Sequence, residues 1–168
     1  MAHVDNYIGW VKDAHAMEKQ AESMLEKMAG RLEHYPDLKA RIEQHIEETR
    51  EQQVLVQSVI DRYDTSSSTL KDTLGKISAM GQAMGGMMAD DEVVKGAISG
   101  YVFENLEIAS YTSLIAAAEL VGDLEGVRIF EQIREQELAM ADWCLTHLPD
   151  VTVQFMIRSE TPGVKAKK

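Results

Sequence analysis

Residues 100–114 read GYVFENLEIASYTSL, and their spacing decides the fold. Alternate steps of three and four through this stretch, extended both ways, pick out Val93, Ala97, Gly100, Glu104, Glu107, Tyr111, Leu114, Ala118 and Val121. This is the seam of a long helix, apolar at both ends, with two carboxylates one turn apart on its inward face. Helical periodicity of this kind dominates the chain, and strand-like alternation is nearly absent.

The helix around that stretch is expected to begin at Asp90 or Asp91, acids suited to a first turn, and to end near Gly122. The next should run from about Asp123 to His147, stopped by Pro149, which leaves about 150–168 as a C-terminal extension with a frayed basic tip. Upstream, one helix is expected from about Val4 to Tyr35, where Pro36 stops it and opens another that reaches Tyr63. Residues 69–89, TLKDTLGKISAMGQAMGGMMA, hold four glycines and four of the ten methionines, and read as a long crossover with a short extra helix. Four long helices, two tight connections and one long middle connection describe an all-α four-helix bundle with a long crossover. Ferritin-like folds use this arrangement.

The length of 168 residues suits a single domain spanning 1–168. Three prolines, eleven glycines and 6% aromatic residues exclude collagen-like, linker-rich and disulfide-stapled classes and favour helices over a β sandwich. With 28 Asp and Glu against 17 Lys and Arg, the formal charge of −11 opposes binding to nucleic acid or anionic lipid. Lys165, Lys167 and Lys168 are too few to make a nucleic-acid patch. The single cysteine, Cys144, cannot form an intramolecular disulfide and fits a reducing compartment. The opening residues MAHVDNYIGWVKDAH lack the apolar core of a signal peptide, and no run approaches the ~20 apolar residues of a membrane span. A soluble cytoplasmic protein, with no membrane partner, is the expectation.

The other three seams follow the same rule. Tyr7, Val11, Ala14, Glu18, Ala21, Leu25, Met28 and Leu32 line the first helix, and Glu18 is their single charge. Leu38, Ile42, His45, Glu48, Gln52, Leu55 and Val59 line the second, polar only in the middle. Gly126, Phe130, Ile133, Glu137, Met140 and Cys144 line the fourth, with Glu137 near mid-length. For any one of these acids a solvated place at the edge of the seam is the ordinary reading. The joint pattern argues otherwise, because Glu18 and Glu48 are 30 residues apart and so are Glu107 and Glu137, as in a half-repeat of one helix pair.

If the seams converge, Glu18, Glu48, Glu104, Glu107 and Glu137 lie at one level of an apolar core. Desolvated like charges would then raise each other's pKa values until most were neutral. Divalent cations resolve the conflict, and inward carboxylates from four helices are what a bridged pair of iron or manganese ions needs. The expectation is a di-metal site with about two ions per chain.

The chain also resembles the YciE/YciF stress proteins of the ferritin-like superfamily, the YciE branch in particular. The resemblance rests on DAHAMEKQAESML (13–25), RIEQHIEET (41–49), GYVFENLEIASYTSL (100–114), MADW (140–143) and IRSET (157–161), and extends over essentially the whole chain. It implies a ferritin-like bundle, usually a homodimer, with a di-iron-type carboxylate site related to that of rubrerythrin. It places the first- and second-helix carboxylates on Glu18 and Glu48, the third-helix E-x-x-E pair on Glu104 and Glu107, and the fourth-helix carboxylate on Glu137. These are the five residues selected by the seams.

There is a departure as well. Di-iron members commonly place a histidine three residues beyond the second- and fourth-helix glutamates, where this chain has Glu51 and Met140. A thioether is a poor ligand for hard ions, so the fourth-helix half of the site is short of a ligand or completed by water. His45, one turn before Glu48, is placed to supply a nitrogen, although a lone seam histidine is ordinarily a hydrogen-bonded core residue. His15, one turn before Glu18, is a weaker candidate, and Gln52 is a candidate outer hydrogen-bond partner.

Other chemistry is poorly signalled. The chain has no Gly-rich phosphate loop, no G-x-S-x-G and no Cys/His set for zinc. Cys144 reads as an inert small hydrophobe, and Tyr101 and Tyr111 as packing residues beside the third-helix pair. Three functions remain open: reaction of the metals with peroxide or dioxygen under stress, iron storage, and a structural or adaptor bundle stabilised by its metal. Assigning the five acids to the interior takes the outward formal charge from −11 to −6, an ordinary value for a domain of this size.

Overall fold

The computed structural model describes residues 2–63 and 93–164. Four helices account for almost all of them: α1 (Ala2–Ala29), α2 (Pro36–Tyr63), α3 (Val93–Val121) and α4 (Leu124–Glu160). No strand occurs among the described residues. The chain is thus an all-α four-helix bundle, as the seams require. The crossover with its short helix, expected over residues 69–89, lies outside the described residues.

Two helix ends differ from expectation. α1 stops at Ala29 rather than Tyr35. Beyond Gly30, which lacks a side chain to support a helix, the chain turns through three-residue bonds from the Arg31, Leu32 and Tyr35 amides. Leu32 and Tyr35 remain buried, so the inward pattern outlives the helix. α4, conversely, continues through Pro149 to Glu160. An internal proline costs about 3 kcal/mol. Pro149 is exposed, and the turns beyond it bury Val151 and pack Phe155 on the core, which offsets that cost. Much of the expected C-terminal extension is therefore the end of α4.

α1 pairs with α2 and α3 pairs with α4, while α1 also packs on α3 and α2 on α4. The Tyr7 hydroxyl donates to Asp123 in the α3–α4 turn, and the Tyr7 ring meets Tyr63 edge-on at the end of α2. At the opposite end Met28 lies against Gly96, and Tyr35, Leu38, Val93 and Val151 share one apolar cluster. Every packed pair is therefore antiparallel. Tyr63 and Val93, the residues flanking the long connection, lie at opposite ends of the bundle.

The apolar interior falls into two clusters. One gathers around Tyr7, Val11, Val59, Tyr111, Leu114 and Phe130, the other around Leu25, Leu32, Tyr35, Ile42, Ala97 and Met140. Along α4 the first cluster ends at Ile133 and the second begins at Met140.

Candidate metal centre

Where the two clusters meet, the interior is polar and buried. α1 contributes Glu18, α2 contributes His45, Thr49 and Gln52, α3 contributes Glu104 and Glu107, and α4 contributes Glu137. Each helix delivers its group because apolar seam residues on both sides pull that face inward. Glu18, His45, Glu107 and Glu137 have 0% exposure and Glu104 has 3%, so four carboxyls are removed from water at one level.

His45 is the hinge of the arrangement. Its Nε2 lies 3.2 Å from Glu104 Oε2 and 3.2 Å from Glu137 Oε2, close ion contacts without hydrogen-bond alignment. Its Nδ1 lies 2.7 Å from Glu48 Oε2. One ligand atom from each of His45, Glu104, Glu107 and Glu137 falls within 4.8 Å of all the others. Glu18 borders this set: one oxygen accepts from the Tyr111 hydroxyl, the Glu137 charge acts on it, and its own charge acts on Glu107.

The donor set fits a cation. Glu18 Oε2, His45 Nε2, Glu104 Oε2 and both oxygens of Glu107 and Glu137 are buried without a hydrogen-bond partner. Buried polar atoms are ordinarily paired, and orphans gathered at one level mark a place where something charged belongs. Carboxylate oxygens with one imidazole nitrogen suit iron or manganese.

The electrostatics tell the same story. Burial, followed by the Glu137 charge, pushes the Glu18 carboxyl well above its usual range, despite the bond from Tyr111 and the charge of His45. Burial and the charges of Glu137, Glu18 and Glu104 do the same to Glu107. Glu137 is pushed up to about 8, chiefly by burial, with His45 lowering it and Glu104 raising it. For His45 burial opposes the charged form, but Glu104, Glu137 and Glu48 together outweigh it and push the imidazole up to about 12. Without metal, His45 and Glu137 hold protons at neutral pH.

Of the five acids singled out by the sequence, Glu104, Glu107 and Glu137 meet in one cluster and Glu18 lies beside it. Glu48 sits farther out. Its side chain is 19% exposed and is occupied by His45, by Gln44 Nε2 at 3.0 Å and by Arg41 Nη1 at 3.6 Å. Burial raises the Glu48 carboxyl, but His45, Arg41 and Gln44 together bring it below its usual range. His45, which sequence reasoning weighed as an ordinary core histidine, stands in the cluster itself. Its position on the same face as Glu48, three residues earlier, was the signal.

The remaining candidates fall outside the cluster. Glu51 is exposed, and Met140 packs in an apolar cluster. His15 is half-buried, with Lys19 and Asp61 as its charged neighbours. Gln52 donates to Gln136 Oε1 at 3.0 Å and forms an outer layer. Burial pushes the Cys144 thiol up to about 12, in keeping with an inert thiol.

Fold and site together define a four-helix bundle with a buried carboxylate–histidine centre at mid-height. The chain belongs to the family described as "Domain of unknown function (DUF892)", whose model matches residues 3–157. Among solved structures it is similar to a protein of Xanthomonas campestris pv. campestris, with 41% identity, a TM-score of 0.80, and 96% of this chain and 100% of that one covered. YcfI of Rhodopseudomonas palustris is similar at 25% identity and a TM-score of 0.70, over 87% of this chain and 94% of that one. The Escherichia coli stress protein YciF shares the fold, with 22% identity, a TM-score of 0.73, and 88% and 95% covered. No helix among the described residues is long and apolar enough to cross a membrane.

Proposed function

We propose that this protein is a ferritin-like di-metal carboxylate protein whose centre reacts with a small oxidant, peroxide or dioxygen, in a stress response. The observation that carries the reading is the group of buried ligand atoms without a hydrogen-bond partner on Glu18, His45, Glu104, Glu107 and Glu137. In this reading those five residues hold iron or manganese, about two ions per chain. Glu48 keeps the His45 ring in place through Nδ1, the carboxylate–histidine pairing that commonly orients a metal-bound imidazole. The bound metals would supply the redox couple.

The chain's own residues do the rest. With its Nδ1 proton directed to Glu48, His45 presents the Nε2 lone pair inward. Tyr111 fixes one Glu18 oxygen and leaves the other free. The two apolar clusters exclude water from both sides. The name of YciF and the resemblance to the YciE/YciF proteins support the stress role, and the resemblance supports a homodimer in the cytoplasm.

A second reading has its own observation. A charged His45 is itself a counter-ion, in contact with Glu48, Glu104 and Glu137, and a metal that only stabilises the bundle would satisfy the remaining acids. The two readings separate on one experiment. Protein loaded anaerobically with iron or manganese, then analysed for metal, should hold about two ions per chain and consume peroxide or dioxygen faster than a Glu18→Ala variant. Metal bound with no difference in consumption favours the stabilising role. A folded protein that takes up no metal overturns both.

A further inference from the structure

Gly100 stands on α3 one turn before Glu104, where a side chain would be expected to fill the seam. A Cβ built there meets nothing within 4 Å. The unfilled space is a cavity of about 20 Å³ between α1 and α3, walled by Met24, Leu25 and Met28 on one side and by Gly100, Phe103 and Glu104 on the other. Its outer rim, Met24 and Gly100, is partly exposed, whereas Glu104 at its inner end is buried with an oxygen 3.2 Å from His45. The other members of the cluster, His45, Glu107 and Glu137, have 0% exposure.

The chemistry of the walls selects what can enter. A volume of ~10–15 Å³ admits one water-sized molecule, but a water also needs two to four polar partners, and apolar cavities lacking them stay dry and take up apolar guests. Glu104 is the single polar side chain lining this space. Hydrogen peroxide, with two hydroxyl groups to satisfy, meets the same shortage as water. Met24 and Met28 are unbranched and flexible, so the passage can widen by rotamer changes alone.

We propose that the gap beside Gly100 is the entrance by which a small, uncharged, apolar oxidant of the dioxygen type reaches the buried centre. This rests on the metal reading above and assigns its substrate class. Gly100 is then a specificity-determining residue, retained in a helix interior at a cost in helix propensity.

Two measurements test the proposal and keep it apart from the metal reading. Crystals of the metal-free protein pressurised with xenon should show the gas between Gly100 and Met24, and Gly100→Leu should abolish it. An empty cavity in the wild-type crystals overturns the proposal whether or not metal binds. For iron(II)-loaded protein, the rate of nitric oxide binding should fall about tenfold or more in Gly100→Leu with metal content unchanged, since entry would then require structural rearrangement. Gly100→Ala, whose added methyl meets nothing, should bind at nearly the wild-type rate and shows that the effect follows size. Wild-type nitric oxide kinetics in metal-loaded Gly100→Leu overturns the proposal. A hydrogen peroxide rate that falls as far as the nitric oxide rate overturns its apolar selectivity.

Discussion

The Tyr7 hydroxyl donates to Asp123 Oδ2 at 2.8 Å across 116 positions of sequence, tying the start of α1 to the α3–α4 turn. Asp123 also accepts from the Gly126 amide at 2.9 Å, capping α4, and from Arg62 Nη2 at 2.9 and 2.8 Å. Removing it unpairs a buried hydroxyl and an amide together, so Asp123→Ala should lower stability by about 2–4 kcal/mol in denaturant titrations. Burial raises the Asp123 carboxyl, but Gly126, Tyr7 and Arg62 together hold it below its usual range. A lowered folded-state value means that stabilisation is present above the unfolded pKa and is lost as pH falls through the folded one. The gap between wild type and Asp123→Asn should therefore narrow in acid, and a constant gap would count against the assignment.

Two glycines should respond to alanine with opposite signs. A Cβ on Gly126 would lie 2.5 Å from both Asp123 Oδ2 and the Tyr7 hydroxyl oxygen, whereas one on Gly9 meets nothing within 4 Å. Gly126→Ala disrupts the same polar junction and should destabilise by about 1–3 kcal/mol. Gly9→Ala should stabilise by about 0.5–1 kcal/mol through helix propensity alone. Thermal midpoints of both variants check this.

Metal uptake should depend on which acid is removed. Glu107→Ala and Glu137→Ala should lose most of the bound metal, while Glu26→Ala and Glu33→Ala, altered at exposed positions, should retain it. Elemental analysis after anaerobic loading provides the measurement. Equal retention in all four variants would remove these acids from the site.

The metal-free protein should lose stability as pH rises. Glu137 at about 8 and His45 at about 12 both have folded-state values above their ordinary ones, and Glu18 and Glu107 are raised as well. Groups raised on folding contribute stability that is complete below their unfolded pKa and disappears as pH climbs through the folded value. Melting of chelated protein between pH 5 and 8 should show the decline, from about the unfolded carboxylate value upward. Glu107→Gln, which removes a buried charge, should gain about 1–2 kcal/mol at the alkaline end while losing metal. A flat profile would contradict the buried-acid account.

Loading metal should also release protons. His45 and Glu137 hold protons near neutrality and must give them up to act as ligands. Calorimetry in buffers of different ionisation enthalpy should show net release on titration with Mn²⁺. Equal heats in all buffers would indicate that these groups are not ligands.

Much of this was legible in the sequence. The interior acids were found because they interrupted otherwise apolar seams, Glu18 and Glu137 singly and Glu104 and Glu107 as a pair, and the bundle because four such seams were separated by turn and proline signals. Pro149 misled because its exposed position lets burial on the opposite face of α4 carry the helix past it. Gly30 ended α1 early although Leu32 and Tyr35 kept the seam inward. His45 and Glu48 share a helix face, but which of them reaches the centre depends on side-chain direction and on Arg41 and Gln44 drawing Glu48 outward. Spacing alone does not encode that competition. The opening beside Gly100 depends on what α1 leaves unfilled across the interface, which no single seam reveals.

The polar layer between the two apolar clusters has a consequence for helix register. Leucine-rich seams tolerate slippage, since one apolar side chain replaces another at little cost. Here a shift of α3 by one turn toward its C-terminal end, ~5.4 Å, would carry Glu107 to the level now held by Tyr111, beside Phe130, away from His45 and without a counter-charge. An Asn or a charge at a single core position fixes alignment in coiled coils for the same reason. The acids that weaken the metal-free bundle therefore also reject the misaligned bundles that its apolar ends would accept.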